Sequence, residues 1–242
     1  MYAHYRTTCY GTAIQQILRG SVSGLDPSDV IIVKGTSLEL RKLTRLSTET
    51  STPLLIHQFE QSVFGIINDA RLLKCRFVEN GFAQTEGLVG EEDLPEDSSM
   101  MPYTMKIRQD PRTRIPGDEV IVAVSDYGNL VFWTITSPEP SRLAEYGRFE
   151  ILAQVQLDEP GIEYTKVGKK IAIDPHSRAI AIASYQDRFD IMFLNETMSR
   201  SRFDPIIGMG LVEEQGIIWH MEFLYTEETS YDRILLALTV YK

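Results

Sequence analysis

Short apolar runs recur along the chain, each followed by a tight connection and a second apolar or alternating run. Val30, Ile31, Ile32 and Val33 precede Gly35-Thr36 and the stretch 37–43. Val120, Ile121, Val122, Ala123 and Val124 precede Asp126-Tyr127-Gly128 and the stretch 129–136. Ile180, Ala181, Ile182 and Ala183 precede Gln186-Asp187 and the stretch 188–194. Apolar runs of this length, rich in β-branched residues and bounded by turn residues, predict strands, and two of them across a short turn predict a hairpin. Three hairpins of one shape predict an internal structural repeat.

The flanks repeat as well. A candidate strand precedes each hairpin, at 13–22, 66–77 and 170–174, and another follows it, at 54–61, 149–157 and 206–211. A further quartet opens with 217–225 and continues with 233–241. The stretch 143–152 competes as a helix, but Gly147 and the alternation of Ile151, Ala153, Val155 and Leu157 favour a strand. Repeated four-stranded units predict a β-propeller, in which each blade covers its neighbour's apolar face. A β-sandwich is the other all-β arrangement compatible with regularly spaced strands. The expected fold is therefore all-β, a partial β-propeller of about three and a half four-stranded blades, where closed propellers have roughly four to eight. Residues 1–242 are expected to form the N-terminal part of one such domain, with an inserted flexible loop at 78–117.

That insertion carries the sharpest change of composition. Glu91-Glu92-Asp93-Leu94-Pro95-Glu96-Asp97 is acidic, and Lys106, Arg108, Arg112 and Arg114 form a basic block further on. Long loops in compact domains are usually functional or disordered. The segment reads as a solvated loop, or as a docking or modification loop with Ser98 and Ser99 as phosphorylation candidates.

Charge narrows the function. Lys and Arg number 24 against 34 Asp and Glu, a formal net charge of −10, which disfavours stand-alone, sequence-independent binding to phosphate backbones. Cys9 and Cys75 are too few for a disulfide framework or a structural zinc site, which favours a reducing, intracellular setting. No apolar run reaches the ~20 residues of a membrane-spanning helix, and residues 1–20 lack the pattern of a secretion signal.

Catalytic chemistry finds no motif. His4, His57, His176 and His220 have no motif-like neighbours, and no Gly-x-Ser-x-Gly elbow is present. Gly208-Met209-Gly210 lacks the third glycine of a dinucleotide fingerprint, and the carboxylates at 91–97 lack the ligand spacing of a calcium loop. Asp126, Asp174 and Asp187 lie near strand-linking turns, where turn chemistry accounts for them. No catalytic, cofactor-binding or metal-binding residue is expected.

The opening stretch 13–20, followed by Val30 to Val33, Lys34, Gly35 and Leu38-Glu39-Leu40-Arg41, resembles the start of a group of large three-propeller proteins. The group holds the damaged-DNA-binding adaptor of cullin ubiquitin ligases, the methyl-methanesulfonate-sensitivity proteins, a large splicing-factor 3b subunit and the large cleavage and polyadenylation specificity factor subunit. Ile171-Ala172-Ile173-Asp174-Pro175 with Arg178 resembles the group's Val-Asp-Pro turn. Residues 125–130 resemble its inter-strand turns, and 216–219 with Phe223-Leu224 its blade entry. The resemblance implies a WD-repeat-like first propeller, a nuclear location, and non-enzymatic scaffold work among the protein subunits of a nuclear complex. It fixes no partner-contacting residue, and the absence of motifs and of a long apolar run leads to the expectation of no cofactor and no membrane association. Members of the group are several times longer and complete this propeller with sequence from their far C-terminal end, so the expectation is an N-terminal piece with the rest of the ring missing. The alternative function is direct nucleic-acid binding through the 106–114 loop. A propeller enzyme is the third reading.

Overall fold

The computed structural model describes residues 13–24, 29–44, 54–63, 65–78, 105–107, 115–126, 128–139, 142–157, 170–185, 188–213, 216–225 and 233–241. Strands β1 (Gln16–Gly20), β2 (Asp29–Val33), β3 (Ser37–Thr44) and β4 (Leu54–Ser62) form one antiparallel sheet in chain order. Next come β5 (Ile67–Lys74), β6 (Phe77–Val78), β7 (Met105–Ile107), β8 (Glu119–Ser125) and β9 (Asn129–Thr136), then a single helical turn, α1 (Leu143–Tyr146), and β10 (Arg148–Gln156). The second sheet has the order β5-β8-β9-β10-β7. Then come β11 (Lys170–Ile173), β12 (Ala179–Tyr185), β13 (Arg188–Leu194), β14 (Met198–Ser199) and β15 (Ile206–Glu213), and the third sheet has the order β11-β12-β13-β15. Strand β14 instead pairs in parallel with β6 in a two-stranded sheet of its own, which joins the segment after β13 to the segment after β5. A two-stranded sheet of β16 (Ile217–Leu224) and β17 (Leu235–Tyr241) follows. All the hairpins expected from the apolar runs are present as adjacent antiparallel strands.

The sheets stack face to face, and this explains why the middle strands are apolar at every position. Side chains alternate across a strand, so a strand covered on both faces reads as a continuous apolar run. On β8, Val120, Val122 and Val124 share a core with Ile171, Ile180 and Ile182 of the third sheet. Ile121 and Ala123 point the other way, into a core with Ile31, Val33, Leu38 and Leu40 of the first. Strand β12 repeats the pattern: Ala179, Ala181 and Ala183 pack against Ile218, Met221 and Phe223 of β16. The fully buried Phe132 meets Phe203 with ring centroids 5.4 Å apart. Each such side chain contributes about 1.5–3 kcal/mol of burial. The first strands of successive sheets, β1, β5, β11 and β16, lie against one another in that order.

Two expectations need adjusting. The stretch 143–152 is not one strand: residues 143–146 make a helical turn and the strand starts at Arg148. Buried Leu143 anchors the turn in the core between the first and second sheets, and Gly147 closes it with its N–H on the Leu143 carbonyl oxygen at 2.8 Å. Burial of one leucine thus fixes a helical turn ahead of Gly147, while the alternating stretch beyond it forms strand β10 as expected. Within the segment 78–117, residues 105–107 are a strand, β7, which adds to the edge of β10 through pairs such as Lys106 with Gln154. Residues 79–104 and 108–114 lie outside the described residues, and with them the acidic block, Ser98, Ser99, Arg108, Arg112 and Arg114. No described helix is long and apolar enough to cross a membrane.

Candidate interaction site

At one end of the inner strands, the ends of β1, β5 and β13 and the β11–β12 turn surround a cleft of about 940 Å3. Three polar junctions hold the sheets that frame it in register, the first of them toward the far end of the inner strands. The first is Asp69, buried on β5. Gln16 Nε2 on β1 donates to Asp69 Oδ1 at 2.6 Å, and the Ile171 N–H on β11 donates to Asp69 Oδ2 at 3.0 Å. The Gln16 amide closes the circuit by accepting from the Ala70 N–H at 2.8 Å. One carboxylate therefore joins the inner strands of three sheets.

The second junction is the turn at 174–178. Asp174 Oδ2 accepts from the backbone N–H groups of His176 and Arg178, each at 3.2 Å, and from Arg178 Nε at 2.7 Å. Burial works against the charge on Asp174, but the Arg178 guanidinium and these N–H groups outweigh it and hold the carboxyl below its ordinary range. The third is Arg200, which donates to the carbonyl oxygens of Ile115 and Gly117 at 2.8 and 2.9 Å and pairs with Asp118 at 2.6 Å. Its guanidinium also lies over the Phe77 ring, 4.6 Å from the centroid. Arg200 thereby fixes the chain just before it enters β8. Gly117 is needed there, because an added Cβ would sit 2.1 Å from the Ser21 carbonyl oxygen.

The groups singled out as candidate chemistry are spread apart. Asp126 accepts from the Ile66 N–H at 2.8 Å, at the end of β5 remote from the cleft, whereas Asp174 is occupied by its own turn. His57 bonds Glu39 at 3.0 Å on β3, His176 stacks near Tyr225, and His220 is exposed on β16. Cys75 is buried, and burial pushes its thiol up to about 12, so the reactive thiolate is suppressed. Among the described residues no three His, Cys, Asp or Glu side chains gather as a metal site. Lys106 is exposed on β7; its basic companions, together with His4, Cys9 and Asp187, lie outside the described residues.

A second polar cluster lies on the face of β3 turned away from the second sheet. Glu39 is buried there, 2% exposed, and meets Lys34 and Arg41 at 2.5 Å each. Burial opposes its charge, yet hydrogen bonds from Lys34, Arg41 and His57 hold the carboxyl at about 2. Its role in the Leu38-Glu39-Leu40-Arg41 stretch follows from alternation: Leu38 and Leu40 enter the core, and Glu39 faces the charged partners.

Comparison with known families decides the larger grouping. Residues 13–242 match the family described as RSE1/DDB1/CPSF1 first beta-propeller. The chain belongs to this family. No curated protein matches it. The first-propeller family is of the protein-interaction scaffold type, and the all-β architecture with several antiparallel sheets agrees with membership. Asp69 and Arg200 were not legible as key residues beforehand. The available signal for Asp69 is a charged residue inside an otherwise strand-like stretch; Arg200 carries none.

Proposed function

We propose that this protein is a non-catalytic interaction scaffold in a nuclear assembly that serves DNA repair and ubiquitin ligation, or RNA processing. The observation that carries the reading is the match of residues 13–242 to the first-propeller family. Exposed apolar side chains support it: Ile207 and Leu211 on β15, and Trp219 and Tyr241 on β16 and β17, the last two each 70% exposed. Clusters of exposed large apolar residues mark interaction surfaces more often than bare solvent faces. Work of this kind requires blade faces and rims held rigidly, which the Asp69 and Arg200 junctions supply.

Affinity purification of the tagged chain from nuclear extract, read by mass spectrometry, tests the proposal. Recovery of cullin-ligase, splicing or 3′-end-processing subunits is the expected result, and recovery of none of them sinks it. Titration with single-stranded RNA separates scaffold work from direct nucleic-acid binding, which weakens steeply as salt rises.

A further inference from the structure

We infer that the cleft at the inner-strand ends is a docking site for a linear peptide in which carboxylates alternate with large apolar side chains. The inference rests on the scaffold reading and names the chemistry of one partner segment. The chain carries a formal charge of −10, yet Arg19, Lys74 and Arg76 line this cleft together. All three are exposed, and none makes an ion pair with a described residue. Lys74 ends β5 and Arg76 follows two residues on, both in the cleft lining, while Arg19 comes from the neighbouring β1.

The other charges of the cleft are already engaged or stand apart. Arg178 is bound to Asp174, Asp118 to Arg200, and Glu119 accepts from the Ser21 N–H at 2.6 Å. Glu196 is the remaining carboxylate of the lining and sits at the exposed turn after β13. The opposite wall is apolar and open: Phe193 is 44% and Ile207 60% exposed, with Ile234 beside them. A volume of about 940 Å3 falls at the upper end of the roughly 300–1,000 Å3 typical of ligand sites. Cations on one wall and apolar side chains on the other match an extended peptide whose successive residues point to opposite sides. Phosphate backbones would find the cations but leave the apolar wall unused.

The test uses the full 242-residue chain and a fluorescein-labelled peptide of sequence Asp-Leu-Glu-Phe-Asp-Leu-Glu-Phe, followed by fluorescence anisotropy at low and moderate salt. Two control peptides replace every acid by Lys, or every Leu and Phe by Ser. Saturable binding of the parent peptide alone is expected, weakening with salt. The combined Arg19→Ala, Lys74→Ala and Arg76→Ala variant is expected to bind roughly tenfold more weakly, since each exposed charge contact contributes modestly. Ile207→Ser, at an exposed position, is expected to weaken binding severalfold with an unchanged melting curve. Equal binding to wild type and triple variant overturns the inference, as does equal binding of all three peptides. It is also overturned if single-stranded RNA of matched charge binds the cleft more tightly than the peptide. Absence of peptide binding while nuclear subunits still co-purify removes the cleft proposal alone. Peptide binding without any co-purifying subunit removes the scaffold reading instead.

Discussion

The Asp69 carboxylate on β5 accepts the Ile171 N–H of β11 at 3.0 Å, across the boundary between two stacked sheets. Backbone N–H groups at sheet boundaries have no ladder partner, and a buried one without a partner costs about 1–3 kcal/mol. Asp69 removes that cost for Ile171 while also accepting from Gln16 on the other side. Apolar packing between sheets is tolerant of sliding, whereas a shared carboxylate accepts one register.

Asp69→Ala is expected to lower stability by about 2–4 kcal/mol, because it leaves the Ile171 N–H and the Gln16 amide without their acceptor and removes the partner of Arg71. Asp69→Asn, which retains one acceptor oxygen, is expected to lose less. Urea midpoints of the two variants check the ranking; an Ala variant as stable as wild type contradicts it.

Stability is expected to fall on the acid side through the Glu39 cluster. Its carboxyl sits at about 2 when folded against an ordinary value of 4.5. A depressed folded value means that the contribution is fully present above the ordinary value and is lost as pH falls from there through about 2. The size is on the order of 3 kcal/mol at most. Thermal melting from pH 7 down to pH 2 should show a steeper acid decline in wild type than in Glu39→Gln. Glu60 and Asp174, also held below their ordinary range, leave a residual decline in the variant.

Cys75 is expected to resist alkylation in the folded chain, since burial both shields the sulfur and pushes its thiol up to about 12. In a Cys9→Ser background, labelling by iodoacetamide should follow unfolding by urea. Rapid labelling without denaturant contradicts the assigned burial.

Arg200→Ala is expected to loosen the chain entering β8. The substitution strips hydrogen bonds from the Ile115 and Gly117 carbonyl oxygens and the ion pair to Asp118, a loss of about 2 kcal/mol. Hydrogen exchange of the Ile115 and Cys75 amides is the readout, since both are bonded close to this junction. Arg200→Lys cannot supply the same planar fork and should rescue only part of the protection.

Much of the architecture follows from local pattern. Val120 to Val124 and Ile180 to Ala183 are apolar at every position because both faces of their strands are covered, and that run, with turn residues beside it, is visible in one dimension. Strand type and hairpin pairing are near-neighbour properties, set by alternation and by tight turns such as the one ending at Gly128, whose φ is +69°. The helical turn at Leu143 and the strand at Met105–Ile107 escaped that logic. Each is held by contacts with a distant partner, the core between the first two sheets for one and the edge of β10 for the other.

The candidate site belongs wholly to that second category. Arg19, Lys74 and Arg76 share a cleft because β1 and β5 lie side by side, and Arg200 reaches residues 115–118 across more than 80 positions of sequence. Polar junctions and charge clusters depend on direction and distance between side chains from separate sheets. Apolar alternation states that a strand has two buried faces; it carries no information about which sheet lies against each face or which charges meet at its ends.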